Sequence, residues 1–105
     1  MPNKNYKRGV EKERLVIEQL EEVGYIAMRT AGSHGMFDVI ATGPSVRFIQ
    51  VKRIEKGNNW TSEYNKEVEK MKELYKPDGS ITYEYWIWED YQGWIKQEVV
   101  KWKGV

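Results

Sequence analysis

Apolar residues recur at helical spacing near the start of the chain. Val10, Ile17 and Leu20 lie seven and three residues apart, with Val16 and Val23 beside them. That stripe predicts a helix over residues 6–23, with residues 1–4 as a loose arm. Gly24 is placed to stop the helix, since it tolerates the left-handed backbone of a helix end. Residues 25–30 alternate and predict a strand whose charged member is Arg29. Residues 36–42 and 46–52 are rich in β-branched and apolar side chains and predict two more strands. Gly43-Pro44-Ser45 between them has turn chemistry. Residues 53–59 read as a polar link. Tyr64, Val68, Met71 and Tyr75 then mark the apolar stripe of a second helix, capped by Thr61 or Ser62. On that helix Glu63, Lys66, Glu69 and Lys72 alternate in sign at a spacing of three, which suits a solvated face without chemistry. After the turn Pro77-Asp78-Gly79, residues 81–88 and 94–102 predict two last strands. The order is α-β-β-β-α-β-β, an α/β class with a central mixed sheet flanked by helices.

Two places break the apolar pattern. Along 46–52 successive side chains alternate faces, so Gln50 and Lys52 point one way and Ile49 and Val51 the other. The hairpin returns Asp38 beside Gln50 and Lys52. A carboxylate, an amide oxygen and an ammonium then meet at one spot on an otherwise apolar sheet. The second break is Glu13, which sits on the first helix's apolar stripe between Val10 and Ile17. A carboxylate there is costly unless it faces a site. Otherwise it is a rim glutamate whose stem lies on the sheet.

Composition narrows the chemistry. The 105 residues suit one domain, 1–105. No stretch has the apolar length of a membrane span, and no signal peptide is expected, which predicts an intracellular, cytoplasmic protein. Cysteine is absent, so neither a disulfide framework nor a thiolate zinc site can form. A single histidine excludes a histidine cage. The net charge of +1 does not announce a nucleic-acid partner. Its distribution says more, because Lys4, Lys7, Arg8, Lys12 and Arg14 outnumber Glu11 and Glu13 at the start. Trp86, Trp88, Trp94 and Trp102 are expected mostly in the core, with some left for a dimer surface.

Asp38, Gln50 and Lys52 suit a metal-dependent phosphodiesterase. Oxygen ligands hold a hard cation, which polarises phosphate and activates water. A lysine stabilises charge on the phosphate. At these residues the chain resembles the PD-(D/E)xK nuclease superfamily, with Asp38 as the first acid and Gln50-Val51-Lys52 as the second half-motif. Phe37 stands at the proline position and Gln50 at an acid position. Across residues 8–52 the resemblance narrows to the archaeal-type Holliday junction resolvases. It is carried by Arg8-Gly9, Glu13-Arg14, Gly24-Tyr25, Arg29-Thr30-Ala31-Gly32-Ser33, Asp38 and Gln50-Val51-Lys52. It implies a restriction-endonuclease-like fold and Mg²⁺ held by Glu13, Asp38 and Gln50, with Mn²⁺ able to substitute. It also implies a catalytic set of Glu13, Asp38, Gln50, Lys52 and Ser33. DNA contacts are expected at Arg8 and Arg29, and beside them at Lys7, Arg14 and His34. The small residues around Ser33, from Ala31 to Gly35, would let a DNA backbone approach closely or would serve as a plain turn. The family's members are homodimers that cut four-way DNA junctions in prokaryotic or viral settings.

Three rival readings share the chain. One is a nuclease of the same fold cutting forks, flaps or plain duplex. Another is a DNA-binding module disabled by Gln50, which removes one negative charge from the cation site. The third is an α/β interaction domain in which Glu13, Asp38 and Lys52 scatter in space.

Overall fold

The first apolar stripe forms a helix, α1 (Lys4–Glu22), that buries Val16 and Leu20. The structure, a computed structural model, describes residues 4–30, 36–74 and 81–100. Tyr25 N–H donates to the Leu20 carbonyl at 3.1 Å, and Gly24 closes the helix at φ 94°. Strands β1 (Ile26–Arg29), β2 (Val39–Thr42) and β3 (Val46–Ile54) follow. They pair as two antiparallel hairpins, with Val39 opposite Arg29 on one side and Ile49 on the other. The β2–β3 turn packs tightly on the end of α1. A Cβ on Gly43 would lie 2.9 Å from the Gly24 carbonyl oxygen, so only glycine fits there.

Helix α2 (Thr61–Leu74) carries the chain to β4 (Ile81–Glu89), which runs parallel to β3, and β5 (Gly93–Val100) returns antiparallel. The result is one sheet in the order β1-β2-β3-β4-β5. Each helix takes one face. Val16 and Leu20 of α1 pack with Val39, Ala41, Ile49 and Trp86. Tyr64, Val68 and Met71 of α2 pack with Phe37, Ile54, Tyr85 and Ile87. An inner strand covered on both faces is buried on both, and residues 84–87 of β4 are accordingly buried without a break. This is the architecture of the restriction-endonuclease-like fold, in the expected element order.

Three local expectations change. Strand β3 runs on to Ile54, because that residue is buried under α2 rather than belonging to a polar link. Strand β2 begins only at Val39, since Phe37 turns aside into the α2 cluster. The start of α2 is capped by Asn59, whose Oδ1 accepts from Thr61 N–H at 3.1 Å, and not by Thr61 or Ser62. Among the described residues the exposed large apolar side chains include no tryptophan; Ile26 and Met28 on the edge strand β1 are 70% and 56% exposed instead. Tyr75 and Trp102 lie outside the described residues.

One buried polar network belongs to the scaffold. Glu84 on β4 is 1% exposed and takes a two-point contact from Arg47 on β3, at 2.7 and 2.8 Å. The Thr82 hydroxyl and the Trp86 indole N–H donate to the same carboxylate at 2.8 and 3.0 Å. Burial pushes its pKa up, and these donors more than offset that, holding it below the usual carboxylate range.

Candidate active site

The site begins where β2 meets β3. Asp38 lies one step beyond the Val39–Ile49 pair, which sets it across from Gln50. Its backbone is held on both sides. The N–H donates to Ile49 O at 2.9 Å, and the carbonyl accepts from Thr30 N–H at 3.0 Å. Its carboxylate folds back onto β3, where Oδ2 accepts from Val51 N–H at 2.9 Å.

Gln50 and Lys52 project from the face of β3 that α2 covers, the face shared with Phe48 and Ile54. Gln50 Oε1 is buried and has no hydrogen-bond partner among the described residues. A buried carbonyl oxygen without a donor is costly, and a bound cation is one way to satisfy it. Lys52 Nζ reaches away to α2 and pairs with Glu63 Oε1 at 2.6 Å. A cleft of about 410 Å³ opens on this side, lined by residues that include Gly9, Lys52, Asn58, Asn59, Trp60 and Glu63. It reaches the lysine but not Asp38 or Gln50.

Glu13 comes in from the opposite face on α1. Its Oε1 takes a 2.8 Å bond from Arg29 Nε at the end of β1. Most of each side chain is shielded, with 17% of Glu13 and 23% of Arg29 exposed. Both charges act on Asp38. Burial is the main reason that the Asp38 carboxyl is pushed up to about 6, and the charges of Glu13 and Glu67 push the same way. The Val51 hydrogen bond and the Arg29 charge oppose the rise. Asp38 is thus a desolvated acid facing more negative than positive charge, the electrostatic condition of a cation site.

The structure therefore brings Asp38, Gln50 and Lys52 to one end of the sheet and places Glu13 and Arg29 at its margin. Lys7 and Arg14 on α1 are exposed and Arg8 is half-buried. Ser33 and His34 lie outside the described residues. Helix α2, expected to be a solvated face without chemistry, supplies two acids to this end. Glu63 meets Lys52, and Glu67 acts on Asp38. Their sequence signal is a spacing of four beside Tyr64 and Val68, which puts both on one flank of the buried stripe. Among the described residues no three Asp, Glu, His or Cys side chains group to hold an ion. A cation here would need fewer carboxylates and the Gln50 amide oxygen, and the orphaned Oε1 fits that role.

Among known proteins, no curated sequence and no solved structure matches the chain. The profile of one family, described as archaeal Holliday junction resolvase (Hjc), matches residues 4–78. That span covers α1, the three strands up to Ile54 and α2, and it contains Glu13, Asp38, Gln50 and Lys52. Covering well over half of the sequence, this match shows that the chain belongs to the archaeal Holliday junction resolvase family, a family of nucleases.

Proposed function

We propose that the protein is a divalent-cation-dependent DNA endonuclease that resolves four-way junctions as a homodimer. The observation that carries the reading is the end of the β2–β3 hairpin. There a desolvated carboxylate lies across from a buried amide oxygen that has no donor among the described residues, and a lysine follows two residues further along the same strand face. Asp38 and Gln50 would hold Mg²⁺ with Glu13 beside them, and the bound ion would polarise the scissile phosphate and lower the pKa of attacking water. The chain's own groups do the rest. Val51 N–H fixes one oxygen of Asp38 and so orients the carboxylate. Lys52, once released from Glu63, places a positive charge against the phosphate as negative charge grows on it. Arg29 and the basic residues Lys7, Arg8 and Arg14 would position the DNA backbone. Ile26 and Met28, exposed on an edge strand, are apolar surface of the kind a second copy would cover.

A cleavage assay on a four-way junction tests this, with plain duplex and forked DNA as comparison substrates. Paired cuts in Mg²⁺ that vanish with chelator, from a protein sedimenting as a dimer, are the expected result. Wild type inert in Mg²⁺ and Mn²⁺, with Gln50→Glu switching cleavage on, would identify a DNA-binding module instead.

A further inference from the structure

Helix α2, which packs on the face of β3 that carries Gln50, bears the acids Glu63 and Glu67. Gln50 and Lys52 face α2, and Lys52 is already in contact with Glu63 at 2.6 Å. Glu67 lies one helical turn further along the same flank. Tyr64 and Val68, next to the two acids in sequence, are buried against the sheet, while Glu63 is exposed and Glu67 half-buried. Gln50 is in register with Tyr85, and Tyr64 packs edge-on against Tyr85 at 5.3 Å. The phenol of Tyr85 is pushed above its usual pKa first by burial, then by the charges of Glu67, Glu63 and Asp38. The charges of all three acids thus act on the residue paired with Gln50. Glu67 is half-buried and has no hydrogen bond or ion pair among the described residues. Such a group is costly to bury unless something positive meets it. Glu13, by contrast, is engaged by Arg29.

We infer that Glu67 of α2 is a ligand of the divalent cation, joining Asp38 and Gln50 and supplying the carboxylate that an acid at position 50 would otherwise provide. The inference rests on the cation-dependent reading above. It explains how a neutral residue stands in the strand motif: two carboxylates and one amide oxygen still meet the ion, with one carboxylate arriving from the helix. Hard cations gain affinity with the number of charged oxygens around them, so moving a carboxylate from strand to helix preserves the site if both reach the same point.

The test measures Mn²⁺ binding to the DNA-free protein by the loss of the free-ion electron paramagnetic resonance signal, which requires no cleavage. Glu67→Gln should weaken Mn²⁺ binding by about ten-fold or more. The double variant Gln50→Glu/Glu67→Gln should recover most of the loss, because the charge returns on the strand. Glu69→Gln, an exposed change on the same helix, should leave the affinity as it was. Wild-type affinity in Glu67→Gln, or an equal loss in Glu69→Gln, overturns the inference and leaves the cation reading standing. No Mn²⁺ uptake by the wild type overturns both.

Discussion

The ammonium of Lys52 lies 2.6 Å from Glu63 on α2, so the lysine of the motif is held by a carboxylate of the neighbouring helix. Both groups are partly open to solvent, and such a pair contributes at most about 1 kcal/mol to stability. Its consequence is for binding. Glu63→Gln should leave the unfolding midpoint nearly unchanged and tighten DNA binding a few-fold, because a negative charge near phosphate is gone. Lys52→Ala should lower the cleavage rate by about 100-fold or more while DNA affinity changes little. A Lys52→Ala protein that cuts at the wild-type rate would remove the lysine from the reaction.

Asp38 makes metal-free stability depend on pH. Its folded pKa, about 6, lies above the ordinary value of 3.8, so the folded state binds the extra proton more readily. The stability this contributes is complete below pH ~4 and is lost as pH rises through 6. Asp38→Asn should therefore stabilise the metal-free protein at pH 7.5 by about 1–2 kcal/mol, a figure reduced for solvent screening of a half-buried group. The same change should do little at pH 4, and it should abolish cleavage. Denaturant melts at the two pH values give the answer; equal effects at both would place the Asp38 pKa near normal.

Glu84 behaves in the opposite sense. Its pKa is held low by Arg47, Thr82 and Trp86 against the effect of burial, so its contribution is present above the ordinary carboxylate pKa and lost as pH falls through the lower folded value. Arg47→Met leaves a buried charge without its partner and should cost about 3 kcal/mol at neutral pH, read from urea unfolding. If the loss were under ~1 kcal/mol, the pair would be a surface contact in energetic terms.

Arg8 and Arg29 are expected at the DNA backbone, where each phosphate contact releases counterions. Replacing either with Ala should lower the slope of log affinity against log salt by about one. Arg29→Ala should also destabilise the free protein, since it strips Glu13 of its 2.8 Å partner. An unchanged slope in Arg8→Ala would place that residue off the interface.

The order of elements and the hairpin that holds Asp38, Gln50 and Lys52 are legible in the sequence. Those depend on local rules: the spacing of Val10, Ile17 and Leu20, the period-two alternation along β3, and the Gly43-Pro44-Ser45 turn. Partners within a hairpin follow from register, which a tight turn fixes over a few residues. What reaches the site from far away in the chain depends instead on how the elements pack. The pairing of Arg47 with Glu84 spans 37 residues and depends on β3 and β4 lying parallel. The roles of Glu63 and Glu67 depend on the angle at which α2 docks. Helical periodicity identifies Tyr64, Val68 and Met71 as the buried stripe, but it does not say which flank of that stripe lies over Lys52 and Asp38. A flank of alternating charge looks the same whether it meets water or a sheet edge. The packing of Tyr64, Val68 and Met71 onto the sheet is what sets Glu63 against Lys52 and brings the Glu67 charge to act on Asp38.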